Sequence, residues 1–272
     1  MGQVVHTLPE GKPILGVTLL ADEVYLFRDK ECSDQVEVYD VINYRIQRCL
    51  TVPNIRGFND MTSCEHYRCL YIANRIGECI HRVDVEGAAT QWAVKDKSAG
   101  LSVNAAHNVL VTCRVVRKIK EFSSHGNLLR ELTLPGDVMN PWHAIQLTNG
   151  EFIVCHGFFD DAVHRVCKIS ADCNDIIQSH GGQPGPNIGQ YNEPGHLAVD
   201  NNEFVFVADI NNRRVTLLSP TLGYVREVVS RDDLKWWPDI LCLDTQRRRL
   251  YVTDNVCNDN KWTAGGVVVF RI

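Results

Sequence analysis

The chain has 272 residues, a net charge of −5, 22% charged residues and 44% hydrophobic ones, a balance that excludes a disordered chain and fits one soluble globular unit. No apolar run approaches the roughly 18 residues that mark a membrane span, so no membrane association is expected. The opening MGQVVHTLPE has neither the basic region nor the long apolar stretch of a secretory leader, and His6 stands where a myristoylation pattern wants Ser or Thr. The 11 cysteines are odd in number and sit in apolar runs, as Cys69 and Cys155 do, which reads as free thiols in a reducing compartment and predicts a cytoplasmic protein.

In chain order, short β-favouring runs recur about every 45 residues, the period of propeller blades. One set covers 24–27, 69–72, 109–112, 151–154, 204–207 and 250–253. After a polar loop each is followed by another, at 35–39, 79–83, 118–122, 163–167, 215–218 and 267–270, several alternating apolar with polar residues as a half-covered strand does. A fourth strand follows in five units, at 45–50, 90–94, 129–134, 174–178 and 224–229. The sixth unit reaches Ile272 without one, while 4–8, followed by Pro9, reads like Leu129 to Pro135. The N-terminal strand is therefore predicted to complete the C-terminal blade and protect its edge, giving a single domain over 1–272.

The fullest unit, 189–220, has Gln190 ahead of Pro194, then Leu197 to Asp200, Val207 to Asp209, Asn212, Arg214 and Val215. This pattern resembles the NHL repeat, and 141–154 and 238–254 carry recognisable further copies. The resemblance implies an all-β, six-bladed propeller of four-stranded antiparallel blades. It also implies a range of functions, since the family's members are mostly interaction or RNA-binding domains and some related six-bladed proteins are metal-dependent lyases or hydrolases.

In such a ring the first strand of each blade lines the central channel, and its start faces the channel mouth. Aligning the units places Asp60, His143 and His196 at equivalent positions, with Asn59, Trp142 and Asp239 one residue earlier. Two histidines and carboxylates converging from different blades have the composition of a divalent metal site. The same residues also suit hydrogen bonds to backbone across the blade joints. In the related lyases a histidine directly follows the proline; here Trp142 or Gly195 intervenes, and a one-residue shift turns a strand side chain to the other face. Calcium would need more oxygens, with Asn59, Asp60, Asn104 and Asp239 as possible donors.

Asp209 with Arg214 reads as a structural clamp on its loop, and the glycines of 179–189, followed by no helix, as an inter-blade turn. There is no Cys-x-x-Cys and no Gly-x-Ser-x-Gly. Arg114, Arg117, Lys118 and Lys120 could form a local basic patch, but acidic residues in the same set of loops offset the cations, and nucleic acid is not an expected partner. Trp142, Phe158, Phe159, Trp236 and Trp237, with His156 and Trp262, are expected near one face. The reading that results is a module binding a protein segment or small ligand through Trp142, His143, His196, Trp237, Asp239 and Phe158, with no cofactor. The alternative is a small-molecule hydrolase or lyase with zinc or calcium on Asp60, His143, His196 and Asp239. Neither reading assigns a catalytic residue.

Overall fold

The computed structural model describes residues 2–28, 35–53, 55, 58–74, 76–258 and 261–272. After β1 (Gln3–Gly11) the chain repeats one up-and-down meander six times. The first sheet is β2 (Ile14–Leu20), β3 (Glu23–Arg28), β4 (Gln35–Asp40) and β5 (Ile46–Thr51); the second is β6 (Phe58–Cys64), β7 (Cys69–Asn74), β8 (Cys79–Asp84) and β9 (Ala89–Ala93). The third is β10 (Ser98–Val103), β11 (Val109–Cys113), β12 (Lys118–Phe122) and β13 (Leu128–Thr133). The fourth is β14 (Pro141–Gln146), β15 (Phe152–His156), β16 (His164–Ile169) and β17 (Ile176–Gly182), and the fifth is β18 (Pro194–Val199), β19 (Val205–Asp209), β20 (Arg214–Leu218) and β21 (Tyr224–Val229). The sixth holds β22 (Trp237–Asp244), β23 (Arg249–Asn258) and β24 (Lys261–Arg271), with β1 as its outer strand. The protein is an all-β, six-bladed propeller of four-stranded antiparallel blades.

Burial follows the blade outward. The second strands β11, β15 and β19 are buried along their whole length, whereas β13 is largely exposed, with Leu128 and Leu129 half in solvent. This is why the inner runs are continuous apolar segments and the outer ones are mixed. Among the described residues the core divides into six clusters, each joining two neighbouring blades. The cluster joining the sixth blade to the first contains Leu8, Ile14, Val24, Tyr251, Val267 and Val269, so the ring is closed by packing as well as by strand pairing.

Closure is reinforced by polar contacts. β1 pairs with β24 from Gln3↔Arg271 to Leu8↔Val267 and on to Gly11↔Gly265, and the Gly2 amide donates to the Val228 carbonyl of the fifth blade at 2.7 Å. The buried Arg28 guanidinium, paired with Glu37 at 2.8 Å, also donates to the carbonyls of Pro9 and Lys12. Asn255, fully buried in the sixth blade, accepts from the Ile14 amide at 2.9 Å and donates to the Ile14 carbonyl at 2.7 Å, extending one blade's pairing onto the next.

Every first strand is interrupted at the same place. The ladder skips a residue between Ile14 and Gly16, Phe58 and Asp60, Ser98 and Gly100, Pro141 and His143, and Pro194 and His196, and skips two between Pro238 and Leu241. These bulges bend the strand end and re-aim the side chain that follows. The residue intervening between proline and histidine in the sequence is the bulged one.

Leu8 is fully buried although it belongs to an edge strand. Leu8→Ala is expected to lower the unfolding free energy by about 2–5 kcal/mol, read from the denaturant midpoint. An unchanged midpoint would mean that β1 does not hold the ring.

Candidate functional site

The bulges bring Asp60, His143 and His196 together near the start of the channel, with one donor-capable atom of each within 4.8 Å of the others. Asp60 is 2% exposed; its Oδ1 accepts the Met61 amide and its Oδ2 the Leu101 amide of the third blade, both at 2.7 Å. His143 Nε2 lies 2.9 Å from the Leu101 carbonyl and must carry the proton that this acceptor requires, leaving Nδ1 bare. The Leu241 amide of the sixth blade points at His196 Nδ1 at 3.4 Å, which leaves the proton of a neutral ring on Nε2, 3.5 Å from Asp60 Oδ1. His143 Nε2 is 3.8 Å from Asp60 Oδ2. Asp60 is thus a carboxylate ringed by N–H groups drawn from four blades.

The two imidazoles stack, with centroids 3.9 Å apart and planes 24° from parallel. The space for His143 comes from the third blade, where Gly100 occupies the equivalent position. A Cβ there would lie 2.6 Å from the Trp142 carbonyl oxygen and 2.7 Å from His143 Cδ2. A glycine with an ordinary backbone angle is needed here for close approach alone.

Burial, followed by the neighbouring His196, pushes the His143 pKa down to about 3, against the opposing pull of Asp60 and the Leu101 hydrogen bond. Asp239, on the bulge of the sixth blade, is reachable by solvent but walled by the channel. Desolvation lifts its carboxyl to about 6, opposed by His196 and by a hydrogen bond from Asn255, and assisted by Asp60.

Beside this hub lies an aromatic stack. Trp142 meets Phe158 edge-on at 5.1 Å, Phe158 meets Phe159 at 4.2 Å, and the Arg114 guanidinium sits 4.5 Å from the Trp142 ring and 4.6 Å from the Phe158 ring. Asp161 accepts the Phe158 amide and Glu193 the Phe159 amide. Phe159 is 64% exposed with φ of 47°, a left-handed conformation in which a bulky side chain is held only by its surroundings. Trp142 Nε1, His143 Nδ1 and His196 Nε2 are buried without a hydrogen-bond partner among the described residues.

Other residues singled out in the sequence go elsewhere. Trp237 is half-buried at the start of β22, with no ring contact to the Trp142 stack among the described residues, and Trp236 lies instead under Lys235. His156 is fully buried and spent on the Met139 carbonyl and Arg165. The side chains of Asn59 and Trp262 lie outside the described residues. Asn104 holds the β10–β11 turn through Ala106, Asn108, Glu121 and Gln146. Arg214 pairs with Asp209 at 2.7 Å and donates to the carbonyls of Pro186 and Gln190, which is the expected loop clamp. The basic patch is dispersed: Lys118 pairs with Glu131 and Lys120 with Asp96, Arg117 turns to the Gly136 carbonyl, and Arg114 joins the aromatic stack.

Exposed apolar side chains at loop tips carried no signal singly, but topology collects them. Ile76, Val115 and Phe159 lie between second and third strands, and Met139 and Ile188 between blades. All these connections leave the ring at the end where the first strands begin. Their exposures are 71%, 73%, 64%, 46% and 73% in that order.

An unfolded histidine titrates near 6.5. Below that value the unfolded chain binds a proton that native His143 refuses until about pH 3, so its share of stability is full above 6.5 and falls as pH falls through that window. Asp239 has the opposite sign, because its raised native pKa lets the folded chain protonate first. Denaturant unfolding of wild type and His143→Gln between pH 7 and 4 should differ in slope by up to about 1.4 kcal/mol per pH unit, the variant being the less acid-sensitive. Parallel profiles would contradict a neutral buried His143.

No protein-family model matches the chain, and no curated protein matches it by sequence. Among solved structures it is similar to Kuenenia stuttgartiensis hydrazine synthase, at 12% identity over 98% of each chain with a TM-score of 0.67. It is also similar to virginiamycin B lyase from Staphylococcus aureus, at 13% identity over 97% of this chain and 99% of that one, TM-score 0.63. The β-propeller domain of Myceliophteria thermophila Cps50 (Swd1) aligns over 100% of both chains at 11% identity, TM-score 0.65. At such identities the likeness establishes the propeller fold and leaves the activity to be argued from the site.

Proposed function

We propose that the chain is an NHL-like propeller acting in the cytoplasm as a binding module, with its site on the channel-mouth face and an apolar protein segment as its partner. One observation carries the reading: Ile76, Val115, Met139, Phe159 and Ile188 are large apolar side chains held in solvent on a single face. Apolar side chains gathered on one face and rimmed by polar residues mark contact surfaces. The Arg114–Trp142–Phe158 stack next to them has the residue types that dominate binding energy. Trp142 Nε1 and His143 Nδ1 are buried beneath that face without hydrogen-bond partners among the described residues, and Asp239 supplies a titratable carboxyl. The nine described cysteines are all free, which supports the cytoplasmic assignment.

The test is selection of a random peptide library on the immobilised protein. Enriched peptides are expected to be apolar, and Phe159→Ser or Trp142→Ala should weaken them at least tenfold. Ile42→Ser at the opposite end of the blades should leave binding unchanged. Enrichment insensitive to Phe159 and Trp142 would reject the channel-mouth site.

A second reading, a metal-dependent hydrolase or lyase, is favoured by the convergence of Asp60, His143 and His196 and by the likeness to a lyase fold. His143 has a bare Nδ1 and an Nε2 anchored on a carbonyl, as ligating histidines do, but it is Nε2 that lies nearest Asp60, so zinc shared with Asp60 on that side would have to displace the Leu101 hydrogen bond. His196 fits less well, since stacked rings do not aim two lone pairs at one point and its Nδ1 faces an amide. Zinc bound there would act as a Lewis acid on a substrate oxygen. The oxygen-rich shell of calcium is not assembled among the described residues. If this second reading holds, elemental analysis will find stoichiometric zinc in the wild type but not in His143→Ala, with chelation lowering Tm; metal-free protein of unchanged Tm would exclude it.

A further inference from the structure

A cavity of about 470 Å³ opens between the fifth and sixth blades at the end of the ring remote from the histidines. It is bordered by the β18–β19 and β22–β23 turns, so its position is independent of the channel-mouth site. Its volume falls within the range of small-molecule pockets, about 300–1,000 Å³. Phe204, Phe206, Leu217 and Leu243 form an apolar lining, and Arg226 and Arg248 stand over it.

The arginines set the chemistry. Elsewhere in the ring Arg28, Arg48, Arg130, Arg214 and Arg247 each pair with a carboxylate. Among the described residues the guanidinium groups of Arg226 and Arg248 make neither an ion pair nor a hydrogen bond, although both line the same cavity. The one side-chain carboxylate in the lining, Asp200, accepts the Asn202 and Phe204 amides through Oδ1 and so closes its own turn, and Ile272, whose amide donates to the Arg248 carbonyl, borders the same cavity without an ion pair to either arginine among the described residues. An apolar body flanked by two unmatched guanidinium groups complements a molecule with one anionic end, and a planar carboxylate is the group that arginine engages bidentately.

We propose that this cavity binds a small amphipathic monocarboxylate, its hydrocarbon part against Phe204, Phe206, Leu217 and Leu243 and its carboxylate held by Arg226 and Arg248. Octanoate is a suitable probe, and octanamide is its uncharged counterpart. In isothermal titration with the full chain, octanoate should bind saturably at one site, at least tenfold more tightly than octanamide. The double variant R226Q/R248Q should lose that tenfold preference while retaining the wild-type Tm. Thr245→Trp, placed in the lining by an exposed turn residue outside the core, should abolish binding of both compounds. In the wild type, the methyl resonances of Leu217 and Leu243 should shift with octanoate while those of Val115 and Ile188 stay still, a readout that needs no variant. Non-saturable octanoate binding, equal affinity for octanamide, or shifts confined to the channel-mouth face would overturn the proposal.

Discussion

The pairing of β1 with β24 is the interaction on which the rest of the structure depends. Each blade is a short meander whose edge groups and apolar faces are satisfied only by its neighbours, so an open array would leave one face and one edge bare. Placing the chain's first strand outside its last sheet couples closure to folding of the whole: Leu8 enters the core shared by blades six and one. Arg28 then ties the first blade to the carbonyls of Pro9 and Lys12. The spacing of Asp60, His143 and His196 exists because three separate blades are held about one axis.

Much of this was legible in the amino-acid sequence. Second strands read clearly because they are buried on both faces and therefore continuously apolar, as in 109–112 and 204–207. The missing outer strand of the last unit was legible as a deficit matched by a surplus at residues 4–8. The equivalence of Asp60, His143 and His196 followed from aligning strand starts, and the bulges preserve that alignment by inserting one residue in each case. The direction of those side chains was not legible, because a bulge reverses the two-residue alternation on which a reading of strand faces relies.

What the sequence concealed depends on partners far apart along the chain. Arg114 reads as one of four neighbouring cations, yet its contacts are the rings of Trp142 and Phe158 in the next blade. Lys120 is neutralised by Asp96, a residue from the connection before its own blade begins. Gly100 looks like a strand interruption, and its purpose is visible only once His143 is seen to fill the space. A single apolar side chain in a loop carries no message; Ile76, Val115, Met139, Phe159 and Ile188 on one face become informative only through the topology.

The repeated bulge separates chemistry from architecture. Because strand pairing resumes beyond it in every blade, the residue that follows can be glycine, aspartate, histidine or leucine, as in Gly100, Asp60, His196 and Leu241, without disturbing the sheet behind. The hub of the ring is in effect a circle of six interchangeable sockets. A lineage of such proteins could exchange one ligand preference for another by altering only the side chains seated there, while the outer three strands of each blade stayed as they are.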